Sequence, residues 1–321
     1  MVPEVPAVVL RVEYHLPRVD LTKPEGKVGN EHYHGGTMSD EVAALTSLEL
    51  GIRLKAGAPN RRFQVDEDAR GSPLSHGRFG REEPKAPGQI EEPVIPSLQR
   101  PVYLETELLS RLLALGPHGS VVLTRCARLY QDAIWIADST PELSWLLLVS
   151  AVEAAANHWQ AKSGDPYDRV SSSDNPLVQA IREEEGGEER LRRLAPHIAA
   201  FTGAWKKFAG FLLEFGPHES AEPAEEESPF FDWSRLNWSP EGLEGVYKQV
   251  YSLRSNALHA GNPFPLPMCL SPRIFLQSGE VPMVTGALGA TWERKETPIL
   301  LSAFERIARE AIVNYFLSRT D

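Results

Sequence analysis

Residues 145–156 read Trp-Leu-Leu-Leu-Val-Ser-Ala-Val-Glu-Ala-Ala-Ala, apolar on nearly every side of a helix. A helix of that kind has to be buried. It falls short of the roughly 20 residues that span a bilayer, so other helices must cover it and the expected fold is mainly α. Its polar positions, Ser150, Glu153 and Asn157, lie three and four apart and form one stripe along a helix expected over 141–162. If the stripe faces inward, the Glu153 carboxylate needs a partner, and Arg254 is the economical candidate. If it faces outward, it is a narrow solvent-facing seam.

Further helical periodicity appears at about 103–115, 120–137, 188–214, 240–260 and 298–318, so residues 101–321 read as mainly helical. Between the last two helices, residues 273–277 and 281–284 flank Ser278 and Gly279 and predict a small β-hairpin insertion. Residues 1–100 form a variable, mixed and partly irregular N-terminal region. It has a strand expected at 8–14, a helix at 39–55 with Ser39 as N-cap, and a Pro/Gly-rich connection from 59 to 101. The acidic runs at 183–189 and 219–227 suit solvated loops or frayed helix ends.

With 42% hydrophobic residues and 26 prolines gathered in a few segments, one compact core with looser additions is expected. The net charge of −11 argues against a chain that coats nucleic acid indiscriminately, but leaves room for a local basic groove. Cys126 and Cys269 are too few for a disulfide framework or a thiolate zinc site. With no secretory signal in view, a reducing, cytoplasmic setting without membrane contact is expected. His15, Glu31, His32 and His34 could ligate a metal, yet beside Gly35 and Gly36 they read better as a surface loop, and no cofactor is expected. Phe208, Phe211 and Phe215, at helical spacing within an aromatic-rich region that includes Trp205, suit core better than base stacking. Arg190, Arg192, Arg193, Lys206 and Lys207 suit a solvated face better than a phosphate track.

The helix over 240–260 ends on stop signals, Gly261, Asn262 and Pro263, which puts His259 in its last turn. There the negative end of the macrodipole favours the protonated imidazole. Arg254 stands five residues earlier. Three other Arg/His pairs have similar spacing, but Pro73 interrupts Arg70/His76, Gly116 and Pro117 interrupt Arg111/His118, and Pro196 interrupts Arg192/His197.

The tract at 251–261, Tyr-Ser-Leu-Arg-Ser-Asn-Ala-Leu-His-Ala-Gly, resembles the arginine-to-histidine signature of HEPN domains, most of all their Apea-like branch. A second tract, with Leu129, Tyr130, Trp135 and residues 141–157, resembles that family's first long core helices. The resemblance implies a HEPN-type helical bundle, usually a homodimer. It also implies a metal-independent endoribonuclease of toxin–antitoxin or antiviral defence systems, with RNA and an antitoxin or defence protein as partners. Arg254 would clamp the phosphorane and His259 would serve as general acid or base. Ser255 and Asn256 would position the 2′-hydroxyl, Glu153 would hold Arg254, and Asn157 and Tyr251 would touch the substrate. Five residues along a helix turn Arg254 and His259 about 140° apart and separate them by about 7.5 Å, so a twofold partner is expected to complete the cleft. The competing readings are an inactive HEPN scaffold for a protein or nucleotide ligand, and a toxin held silent by a neighbouring gene product.

Overall fold

The computed structural model describes residues 36–59, 61–63, 71–73, 87, 92–112, 114–160, 165–171, 176–198, 203–220, 235–272, 279–282, 286–287 and 289–319. The fold is mainly helical. Ten α-helices stand in the described residues: α1 Met38–Leu50, α2 Leu108–Leu112, α3 Pro117–Ile136, α4 Pro141–Trp159, α5 Pro166–Ser171, α6 Pro176–Glu183, α7 Gly187–Ile198, α8 Ala204–Phe215, α9 Pro240–Ala260 and α10 Leu301–Ser318. Two short antiparallel ladders accompany them, β1 Arg61–Arg62 with β2 Ser72–Pro73, and β3 Gly286–Ala287 with β4 Ala290–Thr291. The hairpin expected around Ser278 and Gly279, the strand at 8–14 and the His15, Glu31, His32 and His34 group lie largely or wholly outside the described residues. The observed β3–β4 hairpin sits a few residues further on, at 286–291.

Helices α3 and α4 form the spine, packed along their length and joined by residues 137–140. Pro117 and Pro141 each open their helix at a position where a missing N–H costs nothing. As its composition requires, α4 buries Trp145, Leu148, Val149, Ala151, Val152, Ala155 and Ala156. The Trp145 indole is fully buried between the rings of Phe264 (5.2 Å between centroids) and Phe304 (4.9 Å). Helix α10 covers α4 and α8, and α1 lies along α3. Leu45 and Leu48 of α1 join the same apolar core as the helices beyond residue 101.

Several expected boundaries move for local reasons. Thr37, not Ser39, caps α1: its hydroxyl accepts from the Asp40 amide while the Asp40 carboxylate accepts from the Thr37 amide at 2.8 Å. The same helix stops at Leu50 rather than Lys55 because Gly51 turns left-handed at φ 63°. Beyond it, Arg53 donates to the Ile134 carbonyl at 2.7 Å and pairs with Asp138, and Lys55 pairs with Asp132 at 2.9 Å, which pins this segment to the end of α3. The single helix expected over 188–214 is two, α7 and α8, with Gly203 left-handed (φ 74°) at the start of α8. Pro196 does not interrupt its neighbourhood: it lies inside the last turns of α7, so Arg192 and His197 share a helix after all. Helices α5 and α6 fall where no element is expected from sequence. With α7 they close around Val170, Val178, Leu191 and Ala195, a small apolar nucleus separate from the main one.

Two buried carboxylates tie the frame together. Glu305, 1% exposed, accepts from the Tyr130 hydroxyl at 2.5 Å and pairs with Arg309 at 3.3 Å. Burial holds its carboxyl above the ordinary range, against the opposing pull of Arg309. Glu280 accepts from the Leu236 amide at 3.0 Å and the Trp238 indole at 3.2 Å, and its carbonyl accepts from the Leu300 amide at 2.8 Å. That residue therefore sets the entry to α9 against the entry to α10.

Candidate functional site

Helix α9 carries the candidate residues, and its ends explain their placement. Ser239 caps it by accepting from the Gly242 amide at 3.1 Å, Pro240 opens it, and Gly261 closes it in a left-handed conformation with φ 70°. The Gly261 and Asn262 amides both donate to the Asn256 carbonyl, which seals the terminus. Leu243, Tyr247 and Val250 anchor the first half in the core. The last turns rise out of it: Leu258 is 51% exposed, and His259 and Ala260 are exposed.

Arg254 turns toward α4. Its Nη2 donates to Glu153 Oε2 at 2.6 Å, and the two side chains are 19% and 20% exposed. The pairing expected from the polar stripe of α4 is therefore present, in a seam between helices rather than deep in the core. Among the described residues the guanidinium has no other hydrogen bond, and its Nε is buried without a partner. Tyr251, one turn earlier, faces the same carboxylate. Burial, and then the charge of Glu153 and a hydrogen bond to it, push the phenol up to about 12, against the pull of Arg254. Its ring lies 5.9 Å from the Arg254 guanidinium and 5.4 Å from the ring of Phe208 on α8.

Asn157, one turn beyond Glu153 on α4, accepts from Lys207 Nζ of α8 at 3.3 Å. Ser150, the third member of the stripe, donates to the Leu146 carbonyl of its own helix at 2.8 Å and takes no part in the site. Ser255 is half-buried and Asn256 exposed. His259 is exposed and makes no hydrogen bond among the described residues. One chain thus unites Arg254, Glu153 and Tyr251, sets Asn157 beside them, and displays His259 apart from them.

The other arginine–histidine pairs lack such a setting. Arg192 lies over the Tyr167 ring at 4.2 Å on the α5–α7 unit, and His197 is exposed. Helix α2 ends at Leu112 and α3 begins at Pro117, which separates Arg111 from His118, while Arg70 and His76 lie outside the described residues. Arg111 has only the exposed Glu107 of its own turn, at 3.6 Å, whereas Arg254 is held at 2.6 Å by a largely buried carboxylate from another helix.

Phe208 and Phe211 are buried, as their spacing implies, and Phe215 packs partly buried against the core. Sequence reasoning missed Lys248, whose ammonium lies 5.0 Å from the centre of the Trp205 ring. It stands one turn before Tyr251, a signal that the helical period alone could have shown. Among the described residues no group of three or more His, Cys, Asp or Glu side chains could hold a metal ion. None of the described helices is long and apolar enough to cross a membrane. No family model, curated protein or solved structure matches the chain.

Proposed function

We propose that this chain is a HEPN-type endoribonuclease of the cytoplasm that cleaves single-stranded RNA without a metal, through attack by the 2′-hydroxyl. The observation that carries the reading is the Arg254–Glu153 contact. A carboxylate set in a largely apolar helix fixes Nη2 of the guanidinium, and we assign the Nη1 edge, rather than the buried Nε, to the phosphoryl oxygens. In the reaction the 2′-oxygen bonds to phosphorus, a base takes its proton, the bond from phosphorus to the 5′-oxygen breaks, and an acid protonates that oxygen. The products carry 2′,3′-cyclic phosphate and 5′-hydroxyl ends. His259 fills one of the two proton roles. A second copy of the chain supplies the other, since the projecting end of α9 presents both His259 and the half-exposed Leu258 for a twofold contact. Glu153 is a positioning residue, Asn157 and Tyr251 border the substrate, and Ser255 and Asn256 orient the ribose. Such an enzyme suits a toxin or defence effector held in check by a partner protein.

A second reading, the inactive scaffold, draws on the separation of His259 from the Arg254 group within one chain. Cleavage assays on single-stranded RNA separate the two. Arg254→Ala should lower the rate by about 10² to 10³ and His259→Ala by about 10² to 10⁴, with circular dichroism unchanged. Arg254→Lys, which keeps a charge opposite Glu153 but loses the fork, guards against a folding defect. EDTA should not inhibit, deoxyribose at the cleaved position should protect the strand, and sedimentation should report a dimer. Cleavage retained in either alanine variant sinks the assignment of roles. No cleavage by the parent under any condition leaves the scaffold.

A further inference from the structure

We infer that the surface where the first turn of α8 meets α9 and the end of α4 is the landing site for the RNA strand, with Lys206, Lys207 and Lys248 facing backbone phosphates and Trp205 offering its ring to a base. The inference rests on Arg254 being part of a ribonuclease site and specifies the side from which the strand reaches it. No basic tract adjoins Arg254 in the sequence, and the chain as a whole carries a net charge of −11. The fold brings in the missing charge from another segment. Contacts run in a closed circuit: Arg254 to Glu153 at 2.6 Å, one turn along α4 to Asn157, across to Lys207 at 3.3 Å, along α8 to Phe208, over to Tyr251 at 5.4 Å, and back to Arg254 at 5.9 Å. Lys206, Lys248 and Trp205 stand on the rim of that ring.

Trp205 differs from the phenylalanines that follow it. It packs only partly buried against the core, whereas Phe208 and Phe211 are buried. Two ammonium groups approach its ring, Lys248 at 5.0 Å and Lys206 at 5.9 Å from the centre. Lys248 is exposed and makes no hydrogen bond or ion pair among the described residues. A base stacked on the indole would displace that ammonium onto the adjoining phosphate, so one move makes both contacts. Among the described residues Glu153 is held by Arg254, and Glu244 stands exposed one turn before Lys248. Along α9, Lys248 precedes Arg254 by about 9 Å and His259 by about 16 Å. A strand that follows the helix therefore crosses the lysines first and the reactive residues afterwards.

Binding is read by fluorescence anisotropy on the full chain with a short 2′-O-methyl single strand, which has no free 2′-hydroxyl to attack. In the Lys206→Gln, Lys248→Gln double variant the affinity at low salt should fall about tenfold or more, and the slope of log affinity against log salt should become shallower by about 1.4, or about 0.7 for each phosphate that a lysine no longer neutralises. Trp205→Ala should cost about 5- to 150-fold, and Trp205→Phe, which keeps a stacking ring and fills the site, should restore most of it. Affinity and slope unchanged in the lysine variant overturn the inference. An equal loss for duplex DNA of the same length overturns the assignment to single strands. A parent that binds through these lysines yet cleaves nothing refutes the ribonuclease reading and spares the landing site. A parent that cleaves while the lysine changes leave binding intact does the reverse.

Discussion

Replacing Glu153 with alanine tests the joint between α4 and α9. With side chains 19% and 20% exposed, the Arg254–Glu153 pair lies between a surface ion pair, worth about 0 to 1 kcal/mol, and a fully buried one, whose rupture costs about 3 to 5 kcal/mol. Alanine removes a charge-assisted hydrogen bond of 2.6 Å, and bonds of that type contribute about 1.5 to 3 kcal/mol. It takes away the acceptor beside Tyr251 and strands a guanidinium whose Nε already lacks a partner. These effects overlap, because one carboxylate carries them all, so the expected loss is about 3 kcal/mol. At about 2.1 cal/mol/K of unfolding entropy per residue, each kcal/mol moves the Tm of a 321-residue chain by about 1.5 °C, and the thermal melt followed by circular dichroism should therefore drop by about 4 to 5 °C. Glu153→Gln keeps the shape and one acceptor and should lose less. Arg254→Ala combined with Glu153→Ala should cost less than the sum of the two single changes. A Tm for Glu153→Ala equal to the parent's, or strictly additive losses in the double variant, would refute the argument that this carboxylate holds Arg254.

Two further outcomes follow from buried titratable groups. Glu305 has its folded-state value raised above 4.5 by burial. The folded chain therefore keeps a proton that the unfolded chain releases, and this group's contribution is full below 4.5 and is lost as pH rises through the raised value. The stability of Glu305→Gln relative to the parent should accordingly improve as pH increases from 4.5, and a pH-independent difference would refute it. Burial pushes the Cys126 and Cys269 thiols up to about 12, so iodoacetamide at mildly alkaline pH should label neither until the chain unfolds. Labelling of either thiol in the native protein at the unfolded rate would overturn that placement.

The legible parts of this fold were those settled by neighbours in the chain. Helix α9 is announced by its helical period and the stop signals Gly261, Asn262 and Pro263, and α4 by an apolar run that only a covered helix can carry. The link from Glu153 to Arg254 was also legible, since a carboxylate among apolar residues demands a cation and the end of α9 offers one. Local signals mislead in two places. Thr37 followed three residues later by Asp40 is the capping box, whereas Ser39 has Val42 at that distance and cannot complete one. Gly203, left-handed at φ 74°, opens α8 afresh where the period over 188–214 reads as one helix. What stayed hidden depends on contacts between distant segments. Lys248 meets Trp205 only because Phe208 packs on Tyr251 and brings the start of α8 beside the middle of α9. Glu280 gives no hint in its own neighbourhood that it joins the entries of two helices.

The α5–α7 unit closes around Val170, Val178, Leu191 and Ala195, while the spine helices share a far larger core. Four buried side chains, with Tyr167, Ile181 and Ile198 packed partly buried against them, cannot offset the ordering of three helices by as wide a margin as the main core does. The smaller unit therefore opens as a cooperative piece of its own, at a free energy below that of global unfolding. Heat or denaturant should melt the molecule in two stages, and a single cooperative transition followed by circular dichroism would refute this. The unit that opens first is thus strung in the chain between α4 and α8, the two helices whose adjoining ends carry Asn157 and Lys207.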